Sequence, residues 1–328
     1  MISVEFGVWS VAFWYLFRGR IGICVILSVL SAMVLAGLRG GHTVLPVPSP
    51  AVEAVQVCVK HGDMVADVPL EVYLIGVVAS EMPADFEPEA LRAQAVAART
   101  YTLYCARTGK HADADVCTDF HCCQAWKSDD AMLEDWGETY AEKLSRIRDA
   151  VESTAGEYLQ FAGQAAFTAF HSSSAGFTEA SGAIWSELPY LVRVSSPEDS
   201  GSVPNYVSSF SISAPELCGT LLLLNPEADF SAPPEEWVGE ITRDESGRVS
   251  ALTIGGAAFT GVKLREVFKL RSTAFTLAYA DGFFTFTVTG FGHGVGMSQY
   301  GANVMASGGA DYRAILAHYY PGTELVSL

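Results

Sequence analysis

Basic residues are scarce in this chain: 20 Lys and Arg stand against 37 Asp and Glu in 328 residues, for a net charge of −17. A surface of that sign repels a phosphate backbone and excludes a nucleic-acid partner. An anionic ligand would need a local basic patch, for which Arg92, Arg99 and Arg193 are candidates. Cysteine is sparse as well: Cys24, Cys58, Cys105, Cys117, Cys122, Cys123 and Cys218 are too few to form a disulfide scaffold for so long a chain. No internal repeat is present, and no glycine-rich loop ends in the lysine that a phosphate-binding loop requires. Long apolar runs are confined to Ile21–Leu38, eighteen uncharged residues that would span about 27 Å as a helix.

That run is the expected membrane anchor. Arg18 and Arg20 precede it, which puts residues 1–20 in the cytoplasm and the rest outside, at the cell membrane, although Arg39 on the far side opposes this orientation. A cleaved signal ending at Val34-Leu-Ala36 is the competing reading, and no lipobox cysteine is present. Residues 39–51 read as a linker, and 52–328 as one large folded domain. Half the chain is apolar, enough for a substantial core.

Helices are predicted at Leu70–Glu81, Glu89–Arg107, Ala131–Val151, Val262–Phe268, Ser298–Ala306 and Tyr312–Tyr319. Strands are predicted at Glu157–Phe161, Phe167–His171, Tyr190–Val194, Tyr206–Ile212 and Val249–Ile254. Phe275–Tyr279 and Phe283–Thr289 flank Ala280-Asp-Gly282, a hairpin signal. Helices and strands segregate along the chain, which favours an α+β fold with antiparallel strands around a substrate cleft.

The residue with the clearest chemical meaning is Glu81. It follows Tyr73, Leu74, Val77 and Val78 at helical spacing, so it ends an otherwise apolar stripe. Pro83 stops the helix two residues later and leaves the carboxyl near the negative end of the helix dipole. Both effects raise its pKa, as a general acid requires. The plain alternative is a frayed helix end with Glu81 turned to water. Asp85, Glu87 and Glu89 lie beyond the proline and read as solvated charges.

A second cluster runs from His111 through Cys117, His121, Cys122 and Cys123 to Trp126. Thiolate and imidazole together favour zinc, with a disulfide as the alternative. Cys58 and Cys105 read as free thiols, or as a disulfide with each other. The string Gly292-His-Gly-Val-Gly-Met-Ser-Gln-Tyr-Gly301 lets backbone approach a ligand or a neighbouring element closely. His171 with Ser172 would be a conceivable nucleophilic pair, but no strained nucleophile turn or orienting acid accompanies it.

Three strings, in this order, resemble the stage II sporulation protein D (SpoIID) family: Glu81-Met-Pro83 with Arg92-Ala-Gln94-Ala-Val-Ala-Ala-Arg99-Thr-Tyr101, then Phe170-His-Ser-Ser-Ser-Ala-Gly176-Phe-Thr178, then Gly292 to Ala302. The resemblance covers about residues 53–326. It implies a membrane-anchored lytic transglycosylase of sporulation engulfment that cuts peptidoglycan glycan strands stripped of stem peptides, with Glu81 as the catalytic acid. It also implies substrate contacts from Arg92, Gln94, Arg99, His171, Ser173, Thr178, Tyr190, Met297 and Gln299. The zinc ligands it implies are His111, Cys117 and Cys123; with only three evident, the fourth position is missing or exchangeable, Cys122 or His121 could substitute, and the zinc would be structural. Implied partners are a cell-wall amidase and an integral membrane organiser protein. Some relatives are amidase enhancers, so a non-catalytic peptidoglycan-binding module is the alternative.

Overall fold

The computed structural model describes residues 55–328. The expected anchor and linker lie outside the described residues, and among these no helix is long and apolar enough to cross a membrane.

The chain opens with an antiparallel pair, β1 (Gln56–His61) and β2 (Met64–Pro69), joined directly to helix α1 (Leu70–Glu81). Leu70, Tyr73, Leu74, Val77 and Val78 are all buried, as their spacing predicts. The helix ends at Met82, whose extended backbone places its N–H on Val78 O, and Pro83 prevents another turn. Helix α2 (Pro88–Thr108) starts with proline in its first turn and ends at Gly109 in the left-handed region. Its alanines at 90, 93, 95, 97 and 98 are buried, so neighbouring elements close in on its backbone from several sides.

The two-residue strand β3 (Val116–Cys117) runs parallel to β1 and carries Cys117 toward α2. The single helix expected over Ala131–Val151 is two, α3 (Asp129–Trp136) and α4 (Tyr140–Ser153). Trp136 is followed by Gly137 at φ 50° and a 3-10 turn. Strand β4 (Glu157–Phe161) forms as expected and pairs with β5 (Gln164–Ala165). The strand expected at Phe167–His171 shortens to β6 (Phe170–His171), and Tyr190–Val194 is irregular, held by the bridge between Phe177 and Ser195.

From residue 207 the chain builds a second hydrophobic core. Strand β7 (Val207–Ser213) leads into helix α5 (Ala214–Leu224), capped by Ser213 and Glu216 in a reciprocal box. Strands β8 (Val238–Arg243), β9 (Val249–Ile254) and β10 (Ala257–Thr260) form one antiparallel sheet, and helix α6 (Gly261–Phe268) follows. Strands β11 (Phe275–Ala280) and β12 (Phe283–Thr289) form the predicted hairpin, in register from Phe275 opposite Val288 to Ala280 opposite Phe283, with β7 beside β12. Leu217, Leu221, Ile254, Leu264, Phe275, Phe284 and Phe286 fill this core, which is separate from the one around α2.

The chain returns to the first core through residues 290–296. Gly290, Gly292, Gly294 and Gly296 all take positive φ, from 73° to 115°, where a side chain would be strained. Strand β13 (Met297–Ser298) then lies parallel to β6, which sets the glycine loop beside His171. Helices α7 (Gln299–Ser307) and α8 (Tyr312–Tyr319) pack on α2, and β14 (Glu324–Ser327) closes on β4.

Candidate active site

A cleft of about 960 Å³ opens between the end of α1, the cysteine loop, the β6 segment and the glycine loop. Glu81 is the one carboxylate among its lining residues. The side chain is half-buried, and the N–H of Ala125 donates to its Oε1 at 2.6 Å. Burial raises the pKa to about 7, and the Ala125 hydrogen bond pulls the other way without cancelling it. The carboxyl therefore keeps its proton up to about neutrality, far above the ordinary carboxylate range, while still facing open space. The frayed, fully solvated alternative does not describe it.

Several groups hold this geometry. Arg146 of α4 donates to Ala84 O at 2.8 Å and Phe86 O at 2.6 Å, which fixes the turn after Pro83. Lys127 N donates to Gly76 O, and the indole of Trp126 lies over Gly76, where a Cβ would come within 2.2 Å of Nε1. Segment 124–127 is thereby laid along α1 with the Ala125 N–H aimed at Glu81. Gln124 fastens the same segment to α2 through Thr102 Oγ1 at 3.1 Å. Arg146, Gly76 and Ala125 were not singled out in the sequence. Their contributions are a long side chain reaching across helices, a missing side chain and a backbone N–H, and no residue pattern encodes any of these.

The metal-type cluster forms just ahead of this segment in the chain, and its Cys122 and Cys123 also line the cleft. Ligand atoms of His111, Cys117, Cys122 and Cys123 all lie within 4.8 Å of one another, and His111 Nε2 is 3.2 Å from Cys123 Sγ. Of the two candidates for a fourth position, Cys122 joins the cluster, and His121 faces solvent beside Asp119. All six cysteines among the described residues are free thiols, including Cys58 and Cys105. Three thiols and an imidazole in this spacing suit a tetrahedral divalent metal of zinc type.

The residues expected to contact substrate divide into two groups. His171 and Gln299 line the cleft, and Gln299 Nε2 points to Gln94 Oε1 at 3.4 Å, with Gln94 fully buried behind it. Ser173, Thr178, Tyr190 and Met297 are buried outside the lining. Thr178 Oγ1 stitches two backbone segments together through Val192 O and Val194 N. Tyr190 OH accepts from Phe167 N at 2.8 Å, and so positions a ring that does line the cleft.

The two arginines need correction. Arg99 is completely buried and grips Glu71 with two nitrogens, at 2.9 and 2.5 Å, while donating also to Val151 O and Glu157 O. Arg92 donates to Glu89 and to Ser153 Oγ on the α4 side. Neither lines the cleft. The face they share with Ala95 and Ala98 is the one packed against α1 and α4, and both guanidiniums are used there for packing and pairing.

The two histidines beside the glycine loop, His171 and His293, are neutral. His171 Nδ1 faces Val295 O at 3.2 Å and so carries the proton, which leaves Nε2 to accept from Ser174 Oγ at 2.8 Å. Its pKa is pushed down by burial first, then by the neighbouring His293 and Arg248. Ser174, and not Ser172, is its partner, and Ser174 is wholly buried, so this pair presents no nucleophile to the cleft. His293 accepts from Val295 N, which holds the glycine loop, and burial with the nearby Arg265 and Arg248 lowers its pKa to about 4. Exposed rings of Phe120, Trp185 and Phe291 rim the opening, with Trp185 4.9 Å from the His293 ring.

Fold and site together define a mixed α and β protein whose cleft holds a single protonatable carboxyl, braced by a cysteine-histidine loop. The chain belongs to the stage II sporulation protein D family. The family model for stage II sporulation protein, SpoIID, matches residues 60–161. Stage II sporulation protein D of Bacillus subtilis (strain 168) is 41% identical over 266 residues, which are 80% of this chain and 75% of that protein. The protein of the same name from Bacillus amyloliquefaciens is 39% identical over the same shares. The amidase enhancer of Bacillus subtilis (strain 168) is 28% identical over 77% of this chain and 40% of its own length.

Proposed function

We propose that this chain is a lytic transglycosylase that cleaves the MurNAc-GlcNAc bond of peptidoglycan glycan strands, acting in sporulation. The observation that carries the reading is Glu81: one accessible carboxyl, protonated near neutrality, with no second acid lining the cleft. Hydrolysis by the usual route needs two carboxylates, one as acid and one as nucleophile or as base for water. A single acid suffices when the nucleophile belongs to the substrate. Glu81 donates its proton to the bridging oxygen as the C1–O bond breaks. As carboxylate it then accepts the proton of the MurNAc C6 hydroxyl, whose oxygen closes on C1. The bond formed replaces the bond broken, water is not consumed, and the product ends in 1,6-anhydro-MurNAc. Exposed aromatic rings at the rim suit the apolar faces of pyranose units.

His111, Cys117, Cys122 and Cys123 would hold a structural zinc. Bound there, the metal supplies a rigid anchor for the loop that carries the Ala125 N–H to Glu81. The run Ile21–Leu38 would tether the domain at the membrane. An amidase that removes stem peptides and a membrane organiser protein are the proposed partners.

The name of the amidase-enhancer relative supports a second reading, a binding module without chemistry. Mass spectrometry of stripped strands incubated with wild type and Glu81→Gln separates the readings. Anhydro ends formed by the wild type alone are expected. Reducing ends would indicate a hydrolase, and intact but bound strands the enhancer.

A further inference from the structure

In a chain with such an excess of acid, a partly buried arginine without a carboxylate is unusual. Arg265, on α6, lines the cleft and is half-buried, and among the described residues it has no ion-pair partner. Its Nε donates to Arg271 O at 3.3 Å, so the two terminal nitrogens remain for another group. Burial lowers its pKa, and no neighbouring carboxylate offsets this. The charged and titratable groups near it are Arg248 and the two neutral histidines, His171 and His293. Glu179, Asp244 and Glu198 act on Arg248.

Arg271 strengthens the same end of the cleft. Its guanidinium lies 4.4 Å from the centre of the Phe291 ring, which lines the cleft and is 43% exposed, and its Nε is buried without a partner. Its carbonyl accepts from Gly292 N at 2.9 Å as well as from Arg265, which ties both arginines to the glycine loop. The cleft thus presents the Arg265 guanidinium, with Arg271 set behind it against the Phe291 ring, and also presents the Glu81 carboxyl.

We propose that Arg265, supported by Arg271, reads a carboxylate on the bound strand and is the residue that selects glycan whose lactyl groups are free. The inference rests on the glycan reading above. In peptide-bearing MurNAc the lactyl carbonyl is an amide without charge. Removal of the peptide creates a carboxylate, the planar anion a guanidinium fork accommodates. An uncompensated arginine at the cleft wall therefore distinguishes the two states of the polymer by charge; the other cation lining the cleft, Lys110, has its Nζ engaged by Tyr101 OH and Cys122 O, whereas the terminal nitrogens of Arg265 remain for a ligand.

The test uses the full chain carrying Glu81→Gln, so that no cleavage occurs, and measures calorimetric affinity for two probes. One is a stripped MurNAc-GlcNAc tetrasaccharide with free lactyl carboxylates; the other is the same sugar with those groups converted to methylamides. The free acid is expected to bind about tenfold or more tighter, the range of one charge-assisted hydrogen-bonded pair. Arg265→Gln should erase that difference by weakening the acid alone, Arg265→Lys should restore part of it, and Arg271→Gln should reduce it less. Equal loss for both probes in Arg265→Gln, or a preference that survives it, overturns the proposal. Discrimination by charge in a protein whose wild type leaves strands intact would retain the proposal and remove only the catalytic reading. Failure of both probes to bind would remove both.

Discussion

Glu81 and Glu179 are both carboxyls whose pKa is raised to about 7, in two regions of the molecule that do different work. Glu81 is raised by burial against the opposing pull of its one backbone hydrogen bond, and faces the cleft. Glu179 is shifted by burial and by the neighbouring Asp244, and is only 3% exposed. It sits 3.8 Å from Arg248 and accepts from Ser246 and Ala180, in a sealed junction that links residues 178–180 to the second core. A shifted pKa alone therefore does not mark a candidate general acid here. Access to the cleft and the absence of a charged partner set Glu81 apart, since a proton is useful only where a substrate atom can receive it.

The largest effect that bears on this contrast is loss of the acid itself. Glu81→Gln should lower strand cleavage by about 10²- to 10⁴-fold with little change in strand binding, whereas Glu179→Gln should retain cleavage within a few-fold. Comparable losses in turnover assays would erase the distinction. A charge sealed inside should matter to folding and not to chemistry, and Arg99 sharpens that side of the comparison. Arg99→Met leaves Glu71 without its partner and should cost about 3–5 kcal/mol in denaturant unfolding. The protein that remains folded should cleave normally, and a cleavage defect without loss of stability would return Arg99 to the site.

Disrupting the proposed metal site in the cysteine-histidine cluster, with a chelator or by Cys122→Ser, should reduce cleavage by about 10- to 100-fold. The Ala125 hydrogen bond lowers the Glu81 pKa, so freeing its loop should also move the inflection of the pH profile upward from about 7. The smallest effect concerns stability. The folded pKa of Glu81 lies above its ordinary 4.5, so the stability this difference contributes is full below 4.5 and lost as pH rises through 7. Glu81→Gln should melt with the wild type at pH 4 and above it at pH 8. The difference should be on the order of 1 kcal/mol once screening through the open cleft is allowed for.

Much of this arrangement was legible in the sequence where local chemistry decides. The stripe ending at Glu81 and the stop at Pro83 specified α1 and the environment of its acid, and Ala280-Asp-Gly282 specified the β11–β12 hairpin. Helix α5 was also encoded, by Ser213-Ala-Pro-Glu216, but that capping box passed unread beneath the apolar run that follows. What sequence could not reveal is which face of a helix meets a partner remote in the chain. Arg92 and Arg99 share a face, as their spacing requires, yet Glu71 and the carbonyls of α4 occupy it. Conversely, Arg265 carries no local mark. It became a cleft residue only because α6 of the second core is carried against the glycine loop.

The most direct test is the rate of strand cleavage against pH for wild type and Glu179→Gln. A general acid must be protonated to act, so both should lose activity tenfold per pH unit above an inflection near 7, with anhydro ends throughout. An inflection that disappears or moves in Glu179→Gln, or a wild-type rate that rises through pH 7, would contradict the assignment of Glu81.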